Sequence, residues 1–406
     1  MKIAIVGAGP AGIMAAIQVS CGQNEVVLFE QNSRIGKKLL VTGSGRCNLT
    51  NANLSPQRYT AEAGWMQTFL ESFDLPRMEQ ALLELGIALF HTGDSWYYPL
   101  SESAQSVVVL LETQLRNHNV LLRIATKVSD IRLENKSKKG GEGFLISYED
   151  DHGLQRENFD YVVIATGGCA YPELGSRGEL FPLLALLGHR ITPIAPALGP
   201  IYANLGAFKA LQGQRFDVRT QIMEKGKVLG QSIGNVIVID KGFNGPGIMN
   251  LSHLVSSNPD RKLQLRLSFP ALESPALHTL AKQPGQTVSS LLNAFFNPKA
   301  TQTLLKIAGI AAGTELNGQK HSLLDRLLKA CELNFEVTGA GGFDRSQASA
   351  GGVCLAEVDP RTMQSRLIPG LYLVGETLDV VGECGGYNLH FAFGSGYLAG
   401  KYLASE

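Results

Sequence analysis

The chain has 406 residues, in which 36 Lys and Arg balance 36 Asp and Glu, 44% of the side chains are hydrophobic and 6 are cysteines. That length exceeds one ordinary core, so two or more domains are expected. The charge balance excludes a protein that coats nucleic acid over its whole surface and leaves open only a local basic face; the scattered cysteines lack a C-x-x-C and exclude a zinc ribbon or a thioredoxin-type pair.

Residues 3–6 form an apolar run suited to a buried strand, and Gly7, Gly9 and Gly12 follow as G-x-G-x-x-G, with Pro10 and Ala11 between them. Residues 13–19 then have helical character, and 26–29 are a second buried strand that ends on Glu30, with Gln31 behind it. Strand, glycine turn, helix, strand and acid in this order predict a bound dinucleotide. Gly7 permits the tight turn, Gly9 lets backbone approach a pyrophosphate and Gly12 lets the helix pack on the sheet. The helix N-terminus offers N–H groups to the phosphates. Glu30 stands where a carboxylate accepts from a ribose.

The next stretch is a polar loop with Arg34, Lys37, Lys38 and Arg46 interspersed, and Thr42, Gly43, Gly45, Cys47 and Asn48 present donors to an anion or to a flavin edge. Residues 65–75 and 76–86 are expected to form amphipathic helices. The aromatic run Trp96-Tyr97-Tyr98-Pro99, with His91 nearby, either lines a pocket or caps a core. A helix is expected over 103–117, and strands over 120–124, 127–134, 144–149 and 159–165 form a meander whose polar tip spans 135–143. The last of these strands ends at Thr166-Gly167-Gly168, on the ligand face of a parallel sheet.

From about residue 192 prolines cluster, and short strands over 216–224, 227–230, 235–239 and 262–269 point to a barrel or sandwich insert. A turn at Gly245-Pro246-Gly247 leads into a short helix; helices are expected around 288–296, 301–310 and 321–333, and a strand at 334–338. The domain reading is therefore 1–191 for the first part of a dinucleotide-binding domain, 192–270 for a β-barrel insert completed by 320–340, 271–319 for a small helical insert, and 341–406 for the return. In the return, a buried strand at 370–374 ends on Gly375-Glu376 with Asp379 close behind. Gly385-Gly386 precede a helix over 389–398 whose small residues Ala392, Gly394, Ser395 and Gly396 allow close packing.

Glycine-rich turns at Gly7, Gly43, Gly167 and Gly375 lie along nearly the whole chain. A cofactor touched by all four must be long, so FAD fits better than NAD alone. Glu376 or Asp379 can accept from ribityl hydroxyls. The helix that starts near Gly386, Asn388 and Leu389 can present its positive end to the anion of a reduced flavin. No apolar run reaches membrane-spanning length, and the opening glycines mark a folded motif rather than a signal peptide, so a cytoplasmic protein with no membrane or metal partner is expected.

The pieces GAGPAGIMAA with Glu30, KKLLVTGSGRCNLTN, VIATGG, FNGPGIMNLS and the run from Ala348 to Gly400 together resemble the BaiN/YhiN-type family of NAD(P)/FAD-dependent oxidoreductases. The resemblance covers essentially the whole chain. It implies a mixed α/β fold: a glutathione-reductase-like FAD-binding Rossmann domain with an inserted β-barrel and a small helical domain. It also implies one FAD, reduction by NADPH or NADH, and a strand holding Val128 whose backbone passes the adenine. The implied reaction reduces a carbon–carbon double bond conjugated to a carbonyl, with two substrates in view: uridine of large-subunit ribosomal RNA, giving dihydrouridine, and a steroid-like enone. More distant relatives in fold reduce fumarate. Cys384 stands where the family pattern has Thr before Gly-Gly-Tyr-Asn.

A proton donor for the second half of such a reaction must lie within hydrogen-bond reach of the substrate. Cys384, Tyr387 and His390 are the first candidates, with Cys47, Tyr97 and His91 behind them; a low-pKa cysteine beside a helix N-terminus would serve as acid. With no second complete G-x-G-x-x-G, the nicotinamide is expected to visit the open face used by the substrate. Two other classes stay open: a flavin-containing RNA-binding or ribosome-associated factor without essential redox turnover, marked by cations such as Arg215, Arg219, Lys241 and Lys262 on the insert, and a thiol oxidoreductase.

Overall fold

The computed structural model describes residues 1–22, 24–136, 141–316 and 320–406, with side chains outside 135–142 and 317–322. Of the polar tip expected over 135–143, residues 137–140 lie outside the described residues. The chain divides into two units, Met1–Ala195 with Ala348–Glu406, and Pro196–Gln347.

Unit one begins with β1 (Lys2–Val6), α1 (Pro10–Val19) and β2 (Glu25–Phe29). Ile3, Ala4, Ile5, Val27 and Leu28 are 0% exposed, as expected of parallel strands covered on both faces. The polar loop that follows is wound into a 3-10 segment, Leu39–Gly45. Next come β3 (Thr50–Asn51), α2 (Ala63–Ser72), α3 (Leu75–Glu84), β4 (Leu89–His91), β5 (Trp96–Pro99) and α4 (Ala104–Asn117). β3, β5 and β4 form a small antiparallel sheet.

β6 (Leu121–Arg123) extends the parallel sheet, and β7 (Lys127–Lys136), β8 (Gly141–Asp150) and β9 (Gly153–Phe159) make the antiparallel meander. The single strand expected over 159–165 is in fact two. Phe159 pairs with Phe144 in the meander, whereas Tyr161 pairs with Ile3 in the parallel sheet as part of β10 (Tyr161–Ile164). The corner is held at Asp160, whose N–H donates to the Lys2 carbonyl and whose carboxylate accepts from the Lys2 N–H at 2.7 Å. After α5 (Phe181–Leu186) the first part of the unit ends in β11 (Ile191–Ala197).

Unit two is a closed six-strand barrel. Its strands are β12 (Ile201–Ala203), β13 (Arg215–Glu224), β14 (Lys227–Ile239), β15 (Gly242–Asn244), β16 (Gln264–Ser268) and β17 (Leu333–Ala340). The core gathers Val218, Ile222, Val236, Val238, Leu265 and Leu267 with a cluster of Phe208, Phe243 and Phe335. The two strands expected over 227–230 and 235–239 are one. Gly234 is not a turn: it lets α6 (Pro246–Met249) approach, since a Cβ there would lie 3.1 Å from the Gly247 nitrogen. The remaining helices are α7 (Ser252–Ser256), α8 (Pro275–Ala281), α9 (Val288–Asn293), α10 (Pro298–Ala308) and α11 (Lys320–Ala330).

The chain returns to unit one in β18 (Ala348–Val353), which pairs with β11, and β19 (Leu371–Leu373), which completes the parallel sheet in the order β19-β10-β1-β2-β6. The last helix, α12 (Tyr387–Leu403), packs directly on α1. A Cβ at Gly396 would sit 2.1 Å from the Ala11 carbonyl oxygen and one at Gly400 2.6 Å from that of Ala15. The small-residue face of α12 thus serves helix-on-helix contact.

Candidate functional site

The opening glycines divide their work as their surroundings dictate. Gly7 has φ +105°, and a Cβ there would lie 2.5 Å from the Ala165 carbonyl oxygen; one at Gly12 would lie 1.9 Å from the Gly7 carbonyl oxygen. A Cβ on Gly9 would meet nothing within 4 Å, and as the cap residue of α1 Gly9 provides no side-chain partner for the first helical N–H groups. An uncapped helix end beside open space fits a pyrophosphate. Glu30, 8% exposed, takes the Ala8 N–H on Oε2 at 3.0 Å, and the Asn32 N–H and Nδ2 on Oε1 at 2.8 and 2.7 Å. A carboxylate offers about four acceptor positions, so roughly one is left for a ribose hydroxyl. Lys37 donates to Asn32 Oδ1 at 2.9 Å, and Gln31 donates to the Gly175 carbonyl, so both brace this corner. The Thr126 N–H binds the Glu30 carbonyl, which brings the start of β7 and the buried Val128 to the same corner.

The middle of the site is a polar knot. Lys38 Nζ lies 2.6 Å from Glu376 Oε2, and Glu376 Oε1 accepts the Ser349 N–H at 2.7 Å. Ser349 Oγ in turn accepts the N–H groups of Cys169 and Ala170 at 2.7 and 3.0 Å, and a Cβ at Gly168 would meet that same Oγ at 2.7 Å. The Thr166-Gly167-Gly168 turn, the Gly375-Glu376 turn and Lys38 therefore meet, as the glycine pattern anticipates, but Ser349 holds them together. Sequence reading missed it; the available signal was a serine between two alanines in an otherwise apolar strand. Asp379 Oδ1 accepts the Gly351 N–H at 2.9 Å and its Oδ2 the Thr192 hydroxyl at 2.8 Å, so it anchors β18 while keeping acceptor positions beyond those two. Gly375, at φ +64°, donates its N–H to Ser395 Oγ at 2.9 Å.

At the far end, Gly43, Ser44, Gly45 and Cys47 all have positive φ. Ser44 and Cys47 each pay on the order of 1–2 kcal/mol for that conformation. Bonds from Arg46 N to Gly43 O and from Cys47 N to Thr42 O hold the loop in place, and the Thr42 hydroxyl donates to Leu39 O. A Cβ on Gly45 would meet nothing within 4 Å. The Asn48 amide, oriented to donate, reaches the carbonyls of Thr50 and Tyr97, both at 3.2 Å. Arg46 lies over the Tyr98 ring at 4.5 Å, with Nη2 3.3 Å from the phenol oxygen and Nη1 3.4 Å from Glu102 Oε2.

The C-terminal turn meets this loop. Asn51 Nδ2 donates to the Gly385 carbonyl at 2.9 Å, and a Cβ at Gly386 would fall 2.4 Å from the Thr50 carbonyl oxygen. The Asn388 amide is spent within the turn, accepting from Gly382 N at 2.9 Å and donating to Gly382 O at 2.8 Å.

The three proton-donor candidates are not acids poised near neutrality. His390 is 0% exposed, with Nδ1 2.9 Å from Thr50 Oγ1 and Nε2 3.1 Å from the Phe73 carbonyl; burial pulls its pKa down to about 4. It is a neutral packing residue, which corrects the expectation of a catalytic role. Burial pushes the Cys384 thiol up to about 12, with Glu383 adding to the shift, the opposite of a low-pKa cysteine. Cys47 is likewise raised to about 12 by burial. Tyr387 is 4% exposed, donates to the Asn53 carbonyl at 3.3 Å, and is raised by burial. His91 is exposed and stands 5.4 Å from the Tyr97 ring.

Among the described residues no helix is long and apolar enough to cross a membrane, and no three or more His, Cys, Asp or Glu gather as metal ligands. The chain is 34% identical to the 3-dehydro-bile acid delta(4,6)-reductase of Clostridium scindens, over 100% of this chain and 99% of that protein. It is 26% identical to the ribosomal RNA dihydrouridine synthase of Escherichia coli, over 98% and 97%. Among solved structures it is similar in fold to the 3-ketosteroid delta1-dehydrogenase of Sterolibacterium denitrificans, at 12% identity and a TM-score of 0.54, with 99% of each chain covered. The family model described as HI0933-like protein Rossmann domain matches residues 1–402, and the chain belongs to that family.

Proposed function

We propose that the protein is an FAD-dependent oxidoreductase that is reduced by NADPH or NADH and reduces a C=C bond conjugated to a carbonyl. The observation that carries this reading is the open, uncapped α1 terminus at Gly9, from which the Lys38–Glu376–Ser349 knot and the open Gly45 loop lead on to the Gly385–Gly386 turn. A ligand that uses all of them needs the length of FAD. The α1 amides would take its pyrophosphate, the spare acceptor of Glu30 its ribose, and the 42–48 loop with the α12 terminus its far ring. Bound FAD supplies the hydride chemistry, which no side chain can. The residues supply position and a fixed field: Lys38 and Glu376 neutralise each other beside the middle of the path, and the α12 terminus favours negative charge at its end.

Reduction of a 3-dehydro-bile acid at a delta(4,6) position and formation of a dihydrouridine share one bond type, a C=C conjugated to a carbonyl. Extension of that bond type to this chain rests on the two relatives, and the 34% identity favours a small steroid-like enone as substrate. One observation favours the RNA reading beside it. Unit two carries sixteen Lys and Arg against ten Asp and Glu, whereas unit one carries twenty against twenty-six. A basic unit on a neutral chain suits a polyanion. The thiol reading has no such support, since burial holds Cys47 and Cys384 as neutral thiols.

The test is the anaerobic visible spectrum of the purified protein with NADPH or NADH. Bleaching of the flavin band, restored by a 4-en-3-one steroid, is the expected result. Absence of a flavin band defeats the proposal outright. Reoxidation by a uridine-containing ribosomal RNA fragment but not by the steroid moves the substrate to RNA.

A further inference from the structure

Strand β5 sends Trp96 and Tyr98 to one face, since residues two apart in a strand point the same way. The cross-strand register puts Asn51 opposite Trp96 and Phe90 opposite Tyr98. The Tyr98 end of this face lies against the 42–48 loop: a Cβ on Gly43 would be 3.4 Å from the tyrosine ring, and Arg46 covers it. The Trp96 end lies against the turn that starts α12. A Cβ on Gly385 would be 2.9 Å from the indole Nε1 and 3.2 Å from Cε2. One short strand thus spans both segments that frame the far end of the proposed cofactor path.

The chain has 2 tryptophans, and their N–H groups differ. Trp65 is 9% exposed and donates to the Val358 carbonyl at 3.0 Å. Trp96 is half-buried, and among the described residues its indole N–H has no acceptor. A buried indole N–H usually finds a partner, and a half-buried one with no acceptor within the chain is open to an acceptor from outside it. Here it faces a glycine held at φ +122°, a backbone conformation that keeps a side chain out of the space in front of it. Arg46, the other donor on this face, is already engaged by Glu102 and Tyr98.

We propose that the Trp96 indole N–H is the donor that holds and polarises the carbonyl oxygen of the substrate; this rests on the reductase reading above. An indole donates only and does not titrate in the working range. It can therefore stabilise negative charge that builds on a carbonyl oxygen without acting as a proton source. Its strand fixes it beside Gly385, so little reorganisation is needed when the carbonyl arrives.

The two tryptophans make the test spectroscopic. Oxidised holoprotein, with no nicotinamide present, is titrated with 4-androstene-3,17-dione while indole emission is followed, and in parallel with a uracil-containing oligonucleotide. One of these carbonyl ligands is expected to quench emission in the wild type and in Trp65→Phe, and not in Trp96→Phe. Affinity for that ligand is expected to fall about tenfold in Trp96→Phe, the loss of one good hydrogen bond, with FAD content per chain unchanged. A steroid hydrocarbon lacking the carbonyl should bind wild type and Trp96→Phe alike. Equal affinity of the carbonyl ligand for both overturns the assignment, as does loss of FAD from Trp96→Phe, which would make Trp96 a cofactor contact. Failure of the wild type to bind either ligand overturns it as well. A wild-type protein that purifies without flavin instead removes the reductase reading itself, and that result is read before any variant is made.

Discussion

Two helices of unit one start on glycine, and neither has a capping side chain. At Gly9 the glycine stands before open space, with nothing within 4 Å of where a Cβ would be. At Gly386, with φ +97°, a Cβ would be driven to 2.4 Å from the Thr50 carbonyl and 2.8 Å from the Asn48 side-chain amide. The first glycine leaves room for something outside the chain. The second closes the chain on itself, joining the C-terminal turn to the 42–51 segment. Identical letters at two helix starts thus stand before open space in one place and close the chain on itself in the other, and the surrounding atoms, not the motif, tell them apart.

That contrast can be broken by substitution. The largest effect is expected where α1 and α12 touch. Gly396→Ala places a methyl 2.1 Å from the Ala11 carbonyl oxygen, backbone against backbone, and should cost about 3 kcal/mol or more in urea unfolding. Gly386→Ala adds left-handed strain to a clash and should cost roughly 2–3 kcal/mol. Gly9→Ala, in ordinary extended backbone with free space, should leave stability within about 0.5 kcal/mol while lowering FAD retention at least about tenfold, read by flavin absorbance per chain after gel filtration. If Gly9→Ala melts as Gly386→Ala does, the contrast fails.

The closed end also carries a pH signature. His390 has a folded pKa of about 4, below the ordinary value of 6.5, because burial disfavours its charged form. The unfolded chain therefore takes the proton first. The contribution to stability is complete above pH 6.5 and is lost as pH falls towards 4, by roughly 3 kcal/mol. Urea midpoints of wild type should fall more steeply across that window than those of His390→Gln, whose amide can still bond Thr50 and Phe73. The smallest effect is expected at the open loop. Arg46→Lys removes a half-exposed pair with Glu102 and the stacking on Tyr98, and should shift stability by less than about 1 kcal/mol.

Much of the parallel sheet was legible because its strands are continuous apolar runs followed by glycine turns, and both signals are local. The small β3–β5–β4 sheet was not, since strands of two to four residues show no period to read. The run over 159–165 misled because one apolar stretch serves two sheets, with the break at a single aspartate. The partners of single side chains were hidden for a different reason. Asp379 bonds Thr192, 187 residues away, and His390 bonds Thr50 and Phe73, 340 and 317 residues away. A carboxylate or imidazole beside a glycine turn shows its chemistry in the sequence but not which distant groups have already satisfied it. His189 makes the same point. It bridges Glu357 at 2.9 Å and Ser365 at 3.1 Å, the order of a hydrolytic triad, yet Ser365 Oγ already accepts the N–H groups of Leu367 and Ile368, so the serine is a buried turn anchor rather than a nucleophile.

The contact of α1 with α12 sets the order in which the protein can be made. Unit two is one uninterrupted stretch, and every strand of its barrel has left the ribosome before the last helix is translated. Unit one is different. Ala11 and Ala15 receive Gly396 and Gly400 only when α12 emerges, and β10 has an unpaired edge until β19 arrives. The nascent chain therefore carries a finished barrel while the parallel sheet is still half-covered, with α1 waiting for a partner far later in the chain. The face of α1 that meets α12 stays uncovered until that helix has emerged.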